Sequence, residues 1–224
     1  MHPVRSCISI LPQSFFLVLF LGNILAVAAN AGEFQILPSN SDILFRVKHM
    51  GISSVTGRFG IFSGTFRFDP GNIAAAKGRV VIQSSSINTN NEKRDRHLIS
   101  DEFLNADRFP DLIYVSKSVQ KINNADSTCE LVGDLTIRDI TREIILQVKG
   151  TGFLPDDGRG NARAAFTANG KINRFDFGLK WNKAIETGAL VAGTEVELIL
   201  SFEGLRPVSQ PKSSSPIEKK SKSE

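Results

Sequence analysis

Between Glu33 and Arg206 the chain predicts an all-β domain of short antiparallel strands, a sandwich or an up-and-down barrel, with one short helical insertion. Three observations carry this. Apolar residues recur at every second position, which puts one face of each segment in a core and the other in water. Turn-forming clusters separate the segments. One charged, helix-capable stretch, Thr89–Pro110, breaks the pattern. Nothing alternates helix with strand at βαβ spacing, and no internal repeat is present.

The first 31 residues read as a leader. Arg5 gives a positive start, Phe15–Leu21 begins an apolar run that continues through Ile24–Ala29, and Ala29-Asn30-Ala31 offers a small-x-small cleavage site. This three-part pattern is that of a secretory signal peptide. The apolar run falls short of the roughly 20 residues a spanning helix needs, and Pro12 and Asn23 shorten it further. Cleavage near Ala31/Gly32 would place the mature protein in the periplasm or outside the cell.

The strands follow in order. Ile43, Phe45 and Val47 alternate with Asp42, Arg46 and Lys48. Phe62, Gly64, Phe66 and Phe68 alternate with Ser63, Thr65, Arg67 and Asp69. Leu131, Gly133, Leu135 and Ile137 form a third inward row, and Ile144, Leu146 and Val148 a fourth. The last is the most regular, with Val196, Leu198, Leu200 and Phe202 set against Glu195, Glu197, Ser201 and Glu203. Turn clusters stand at Asp69-Pro70-Gly71-Asn72, Asn123–Asp126, Asp156-Asp157-Gly158 and Glu186-Thr187-Gly188. Gly57, Gly60 and Gly64 sit where a barrel needs bulges or sharp bends. The helical candidate, Asn90–Asn105, is too polar on most faces for a core helix. From Pro207 to Glu224 the chain is a Pro/Ser/Lys tail with almost nothing apolar, a composition that does not offset the entropy of ordering.

Composition narrows the function. The 27 basic and 23 acidic residues include Arg5 of the leader, so the remainder carries a net charge of +3. No basic stripe with interleaved aromatics is present, which argues against nucleic acid as a partner. Cys129 is the one cysteine outside the leader, so no intrachain disulfide forms there, and a small, partly buried apolar role suits it. Sixteen phenylalanines stand against one tyrosine and one tryptophan. Such rings offer apolar area with no polar group to satisfy. They suit either a filled β core or walls around a hydrocarbon, and an eight-stranded barrel is wide enough for either.

Chemical motifs are sparse. His49 and His97 lie outside the leader, and neither sits at metal-ligand spacing. Arg94-Asp95-Arg96-His97 reads as an acid–base pair, a salt-bridged turn, or the polar mouth of a pocket for a greasy ligand. No phosphate-binding glycine loop follows a strand, and no nucleophile elbow occurs.

Five blocks in order resemble the YceI-like family of exported polyisoprenoid-binding proteins. They are SDILFRVKHMGISSVTGRF, FSGTFRFD, INTNNEKRDRHLISDEFLNADRFP, VGDLTIRDITREIIL and INRFDFGLKW. Two positions depart from the family pattern. Asp139 stands at a usual turn glycine, which would strain the turn, and Phe175 at a usually small or polar position, which would narrow a pocket. The resemblance implies an antiparallel, eight-stranded, extended lipocalin-like barrel with a helix packed near one end. It implies an apolar tunnel for a polyprenyl phosphate, isoprenoid quinone or fatty amide, frequent homodimers, and no catalytic residues, metal or cofactor beyond the bound lipid.

The expected wall is Ile43, Phe45, Val47, Phe66, Phe68, Leu135, Phe166, Leu198 and Leu200. The expected mouth is His49, Arg94, Asp95, His97, Arg174, Asp176 and Trp181, with Arg94 and His97 touching the ligand head and Trp181 capping the tunnel beside Asp176. Transient contact with a membrane follows from such a cargo. Two rivals stand beside this carrier: a lipid hydrolase or isomerase using His97 with Asp95, and a filled, ligand-free structural barrel.

Overall fold

The computed structural model describes residues 32–182 and 191–208. The expected leader, the Glu186-Thr187-Gly188 turn and all but the first two residues of the expected tail lie outside them.

Eleven strands and one α-helix follow one another. They are β1 (Gly32–Ile36), β2 (Asp42–His49), β3 (Ser53–Phe59), β4 (Phe62–Phe68), β5 (Lys77–Gln83) and β6 (Ile87–Asn88). Then come α1 (Glu92–Ile99), β7 (Asp111–Asn123), β8 (Thr128–Ile137), β9 (Ile140–Leu154), β10 (Asn161–Asn173) and β11 (Ala192–Pro207). All described pairings are antiparallel. Eight strands close the barrel, in the circuit β1-β4-β5-β7-β8-β9-β10-β11, because β1 bonds both β4 and β11. Closure removes the unpaired edges that an open sheet would expose.

The circuit is short on one side. Near its C-terminal end β11 pairs with β1, Leu205 opposite Gln35. Over its first half it pairs instead with β2, Val196 opposite Val47. β3 pairs with β2, and β6 adds two residues, Arg58 facing Asn88 and Phe59 facing Ile87. Beyond them the wall is completed by α1 and the loop after it. Asn91 caps the helix by accepting from the Arg94 backbone N–H at 3.0 Å. The helix has no fully buried residue, as its polarity predicts, and Leu98 and Ile99 in its last turn pack on the core with Leu104.

The barrel thus has two ends. The helical end gathers α1, the β2–β3 hairpin, the β8–β9 turn and a 3₁₀ turn at Arg174–Phe177. The far end gathers the β4–β5, β7–β8 and β9–β10 turns. Phenylalanines pack one side of the interior. Phe34 is fully buried and stacks on Phe66 at 5.2 Å, and Phe66 meets Phe166 edge-on at 5.1 Å. Phe166 in turn packs on Phe202, and Phe202 on Phe62. This cluster packs one side of the barrel, with Phe34 and Phe62 behind it and Phe66, Phe166 and Phe202 also reaching the cavity.

Three expectations need correction. The glycines of β3 and β4 serve close approach, not bulges. A Cβ on Gly57 would lie 2.3 Å from the Phe45 ring, and one on Gly64 would lie 2.4 Å from the Arg79 carbonyl. The bulges fall elsewhere, in β7, β9 and β11. At the β8–β9 turn the left-handed residue is Arg138 (φ 58°), so the strain expected at Asp139 falls one position earlier. Finally, β11 runs through Pro207, and the Val208 N–H donates to the Gly160 carbonyl at 2.8 Å, so the ordered chain passes the expected boundary of the tail.

Candidate functional site: an apolar cavity along the barrel

An apolar cavity of about 1020 Å³ runs inside the barrel. The alternation along each strand decides what lines it. All nine expected wall residues do: Ile43, Phe45, Val47, Phe66, Phe68, Leu135, Phe166, Leu198 and Leu200. Several point inward yet are only half-buried, among them Phe45, Val47, Phe166, Leu198 and Leu200. Inward side chains that still have open space beside them mark a hollow interior, since filled cores pack to crystal density. Phe45 and Phe59, 5.8 Å apart, form the hollow part of the wall, whereas Phe34 and Phe62 are buried packing and Phe66 and Phe202, though buried, still touch the cavity.

Sequence reasoning missed part of the lining. Leu98, Phe103 and Leu104 reach it from the helical insertion, and Leu112 and Tyr114 from β7. The inward row of β7 is Leu112, Tyr114, Ser116, whose polar third member breaks the apolar signal. Burial, with the Asp134 charge second, raises the Tyr114 phenol above its usual range, and its hydroxyl has no described partner. Cys129 is half-buried on the inner face of β8, and burial pushes its thiol up.

Of the expected mouth, His49, Arg94, His97, Arg174 and Trp181 line the cavity, all at the helical end. Asp95 and Asp176 do not. The Asp95 carboxylate accepts from the Thr89 N–H at 3.0 Å and from the Thr89 hydroxyl. Asp176 is exposed on the 3₁₀ turn, away from the cavity. Phe175 stacks under the Arg174 guanidinium at 4.6 Å and does not line the cavity either, so it narrows nothing.

Arg174 is 3% exposed. Its Nε donates to the Gly193 carbonyl at 2.8 Å, Nη1 to the Leu179 and Trp181 carbonyls, and Nη2 to the Ala192 carbonyl at 3.0 Å. The fork therefore clips the 3₁₀ turn to the start of β11. Among the described residues it meets carbonyl oxygens and no carboxylate. Burial lowers its affinity for the proton, as expected of a cation taken from water.

Arg94 is also engaged locally, through Nε to the Thr89 hydroxyl at 2.7 Å and Nη2 to the Thr89 carbonyl at 2.9 Å. His97 pairs with Glu102 through Nε2 and lies edge-on to both Phe103 and Trp181, at 5.0 and 4.9 Å. The acid–base pair read from adjacent residues is not assembled: Asp95 holds Thr89, and His97 holds Glu102. What forms instead is an aromatic trio, with Phe103 and Trp181 5.3 Å apart, bridging the helical insertion and the β10–β11 connection.

This architecture has known counterparts. The model of the YceI-like domain matches residues 34–204. The UPF0312 protein YE1254 of Yersinia enterocolitica is 43% identical over 183 residues, 81% of this chain and 90% of that one. Protein YceI of Shigella flexneri is 40% identical over 162 residues, covering 72% and 80%. Among solved structures, the Campylobacter jejuni YceI protein aligns with a TM-score of 0.60 at 31% identity, over 71% of this chain and 89% of that one. A polyisoprenoid binding domain from Saccharophagus degradans shares the fold alone, with a TM-score of 0.55 at 14% identity over 78% and 98%. With a matched model spanning the barrel and relatives at this identity, the chain belongs to the YceI-like family.

Proposed function

We propose that the protein is an exported carrier that holds a long-chain isoprenoid or similar amphiphilic lipid in the barrel and performs no chemistry on it. The hollow interior supports this reading above all: a cavity of about 1020 Å³ with half-buried phenylalanine, valine and leucine side chains on its walls. A filled structural barrel would have no such space. Each CH₂ moved from water into such a site contributes about 0.8 kcal/mol, so a prenyl chain binds without a strong head contact, less the cost of ordering it. The polar groups that line the cavity at the helical end suit a polar head there. The Saccharophagus degradans neighbour, described as a polyisoprenoid binding domain, points the same way.

A prenyl phosphate, a quinone and a fatty amide are the candidate ligands. Arg174, a buried cation facing carbonyl dipoles alone among the described residues, favours the phosphate. Export rests on the leader pattern in the sequence.

Native mass spectrometry and lipid extraction of protein purified from its own compartment test the reading. A co-purifying single-chain lipid, lost in Phe45→Asp protein that keeps its circular dichroism spectrum, is the expected result. An empty barrel that takes up no prenyl lipid in vitro, or release of phosphate or free prenol from one, would overturn it. N-terminal sequencing should return Gly32.

A further inference from the structure

The β2–β3 hairpin carries apolar groups that the fold does not use. Its inner face, Val47, His49 and Val55, lines the cavity at the helical end. Its tip, Met50-Gly51-Ile52, stands clear of the barrel: β6 covers only Arg58 and Phe59 of β3, and Ser53, Ser54 and Thr56 are exposed. Ile52 is 90% exposed and Met50 37%. The turn is well defined all the same. The Ile52 N–H donates to the His49 carbonyl and the Met50 N–H to the Val191 carbonyl, both at 3.2 Å. Its two central residues, Met50 and Gly51, lie in the left-handed region, at φ 52° and 75°. Asn-Gly is the pair such a turn favours, and a bulky side chain at positive φ is strained. Backbone geometry therefore disfavours Met50, and burial does not offset the strain.

Charge sets this tip apart from the other exposed apolar end. From Ile43 to Phe68 the chain has Arg46, Lys48, Arg58 and Arg67 and no Asp or Glu. Glu197, across from the hairpin on β11, pairs with Arg46, which leaves Lys48 and Arg58 without a carboxylate partner among the described residues. At the far end Phe153 and Leu154 are exposed too, but each turn there carries a carboxylate: Asp69, Asp126 and Asp156.

We propose that the hairpin tip docks on an anionic lipid surface, with Met50 and Ile52 inserted and Lys48, with Arg58 further back, meeting the headgroup charge. Apolar insertion and attraction of cations to anionic lipid are the two contributions that hold a peripheral protein on a bilayer. Because the same hairpin lines the cavity, docking brings the mouth to the bilayer. The proposal goes beyond the carrier reading and does not depend on it, since an empty barrel would dock as well.

Co-sedimentation of the exported chain, Gly32 to Glu224, with vesicles tests it. The leader is left off because its own apolar run would bind lipid, and the lysine-bearing tail stays in every variant. The vesicles are phosphatidylcholine alone, and phosphatidylcholine with phosphatidylglycerol in equal parts. The chain should bind the mixed vesicles and the neutral ones far less. Ile52→Ser should weaken that binding about tenfold, the lower end of what burying such a side chain contributes. Met50→Asn should weaken it too while the urea midpoint holds or rises, because Asn suits the turn. Leu154→Ser should bind as the parent does. Binding that survives both hairpin substitutions, falls with Leu154→Ser, or is equal on neutral vesicles would overturn the proposal, as would a parent chain that stays in the supernatant. A dimer that Ile52→Ser dissociates, with no vesicle binding, would assign the tip to a second copy of the chain instead. No cargo is present, so none of these outcomes bears on what the cavity holds.

Discussion

The two ends of the barrel are built on opposite principles. At the helical end, charged side chains face inward and are held by neutral groups: Arg174 by four backbone carbonyls, Arg94 by Thr89. At the far end Arg67 and Lys77 reach only the rim of the cavity, and other charges pair on the outer surface. Arg163 bridges Asp157 at 2.9 Å and Glu203, which in turn accepts from the Asn40 side chain at 2.9 Å. The inward row there is mainly aromatic and aliphatic, with Phe68, Val148 and Phe153. One end can meet a polar head, and the other is strapped from outside. A lipid is asymmetric in the same sense.

Substitutions sharpen the comparison. The largest effect is expected in the packed cluster between the ends. Phe66→Ala removes a buried ring from contact with Phe34 and Phe166 and should cost about 3–5 kcal/mol of stability in urea unfolding. Phe45→Ala, on the hollow wall, should cost clearly less stability and more lipid affinity. Equal stability losses would mean that the wall at Phe45 is filled.

Next comes Arg174→Met. It keeps much of the volume but strands four carbonyls, and an unsatisfied buried acceptor costs about 1–3 kcal/mol. A loss of about 3 kcal/mol or more in the same unfolding assay is expected. A variant as stable as the parent would show that the clip is not structural.

Arg94→Ala should weaken lipid binding modestly, by about 1 kcal/mol. Because Arg94 is already bonded to Thr89, the loss should be equal for a prenyl phosphate and the matching prenol, as for a brace that holds the insertion against the barrel. A loss confined to the phosphate would make Arg94 a head-group contact after all.

The smallest effect lies in the outer strap, and it depends on pH. The Arg163 guanidinium, with the Arg159 and Asn161 N–H groups, holds the Asp157 carboxyl down to about 2. A folded-state value below the unfolded one, about 3.9, contributes stability above pH 4 that disappears as pH falls toward 2. Asp157→Asn should therefore be less stable than the parent at neutral pH and converge with it near pH 2. A difference constant across that range would show that the carboxylate charge is not what matters.

The outward strap and the inward wall differ in how far they could be read in advance. Ile43, Phe45, Val47, Leu198 and Leu200 announce their face because a strand turns each successive side chain to the opposite side. The pairing of Arg163 with Asp157 and Glu203 is not legible, since it joins positions up to 40 residues apart across neighbouring strands. The mouth was half-legible. The insertion supplies Arg94 and His97 to the cavity rim as its position suggests, but Asp95 turns back to Thr89 and Asp176 stays in solvent, because capping and 3₁₀ geometry, not composition, aim those carboxylates.

By itself, the sequence determined an antiparallel all-β fold, sandwich or barrel, with the inward rows of its regular strands and a polar helical insertion; the family resemblance chose the barrel. Periodicity and turn chemistry are local properties written residue by residue. Only the tertiary structure decided that the barrel is hollow and which phenylalanines pack and which face space. It alone showed that β2 and α1 complete the wall where β1 ends, and that the cavity reaches both ends. Those outcomes depend on how eight strands close around a volume, and volume is a property of the assembled chain that no single strand carries.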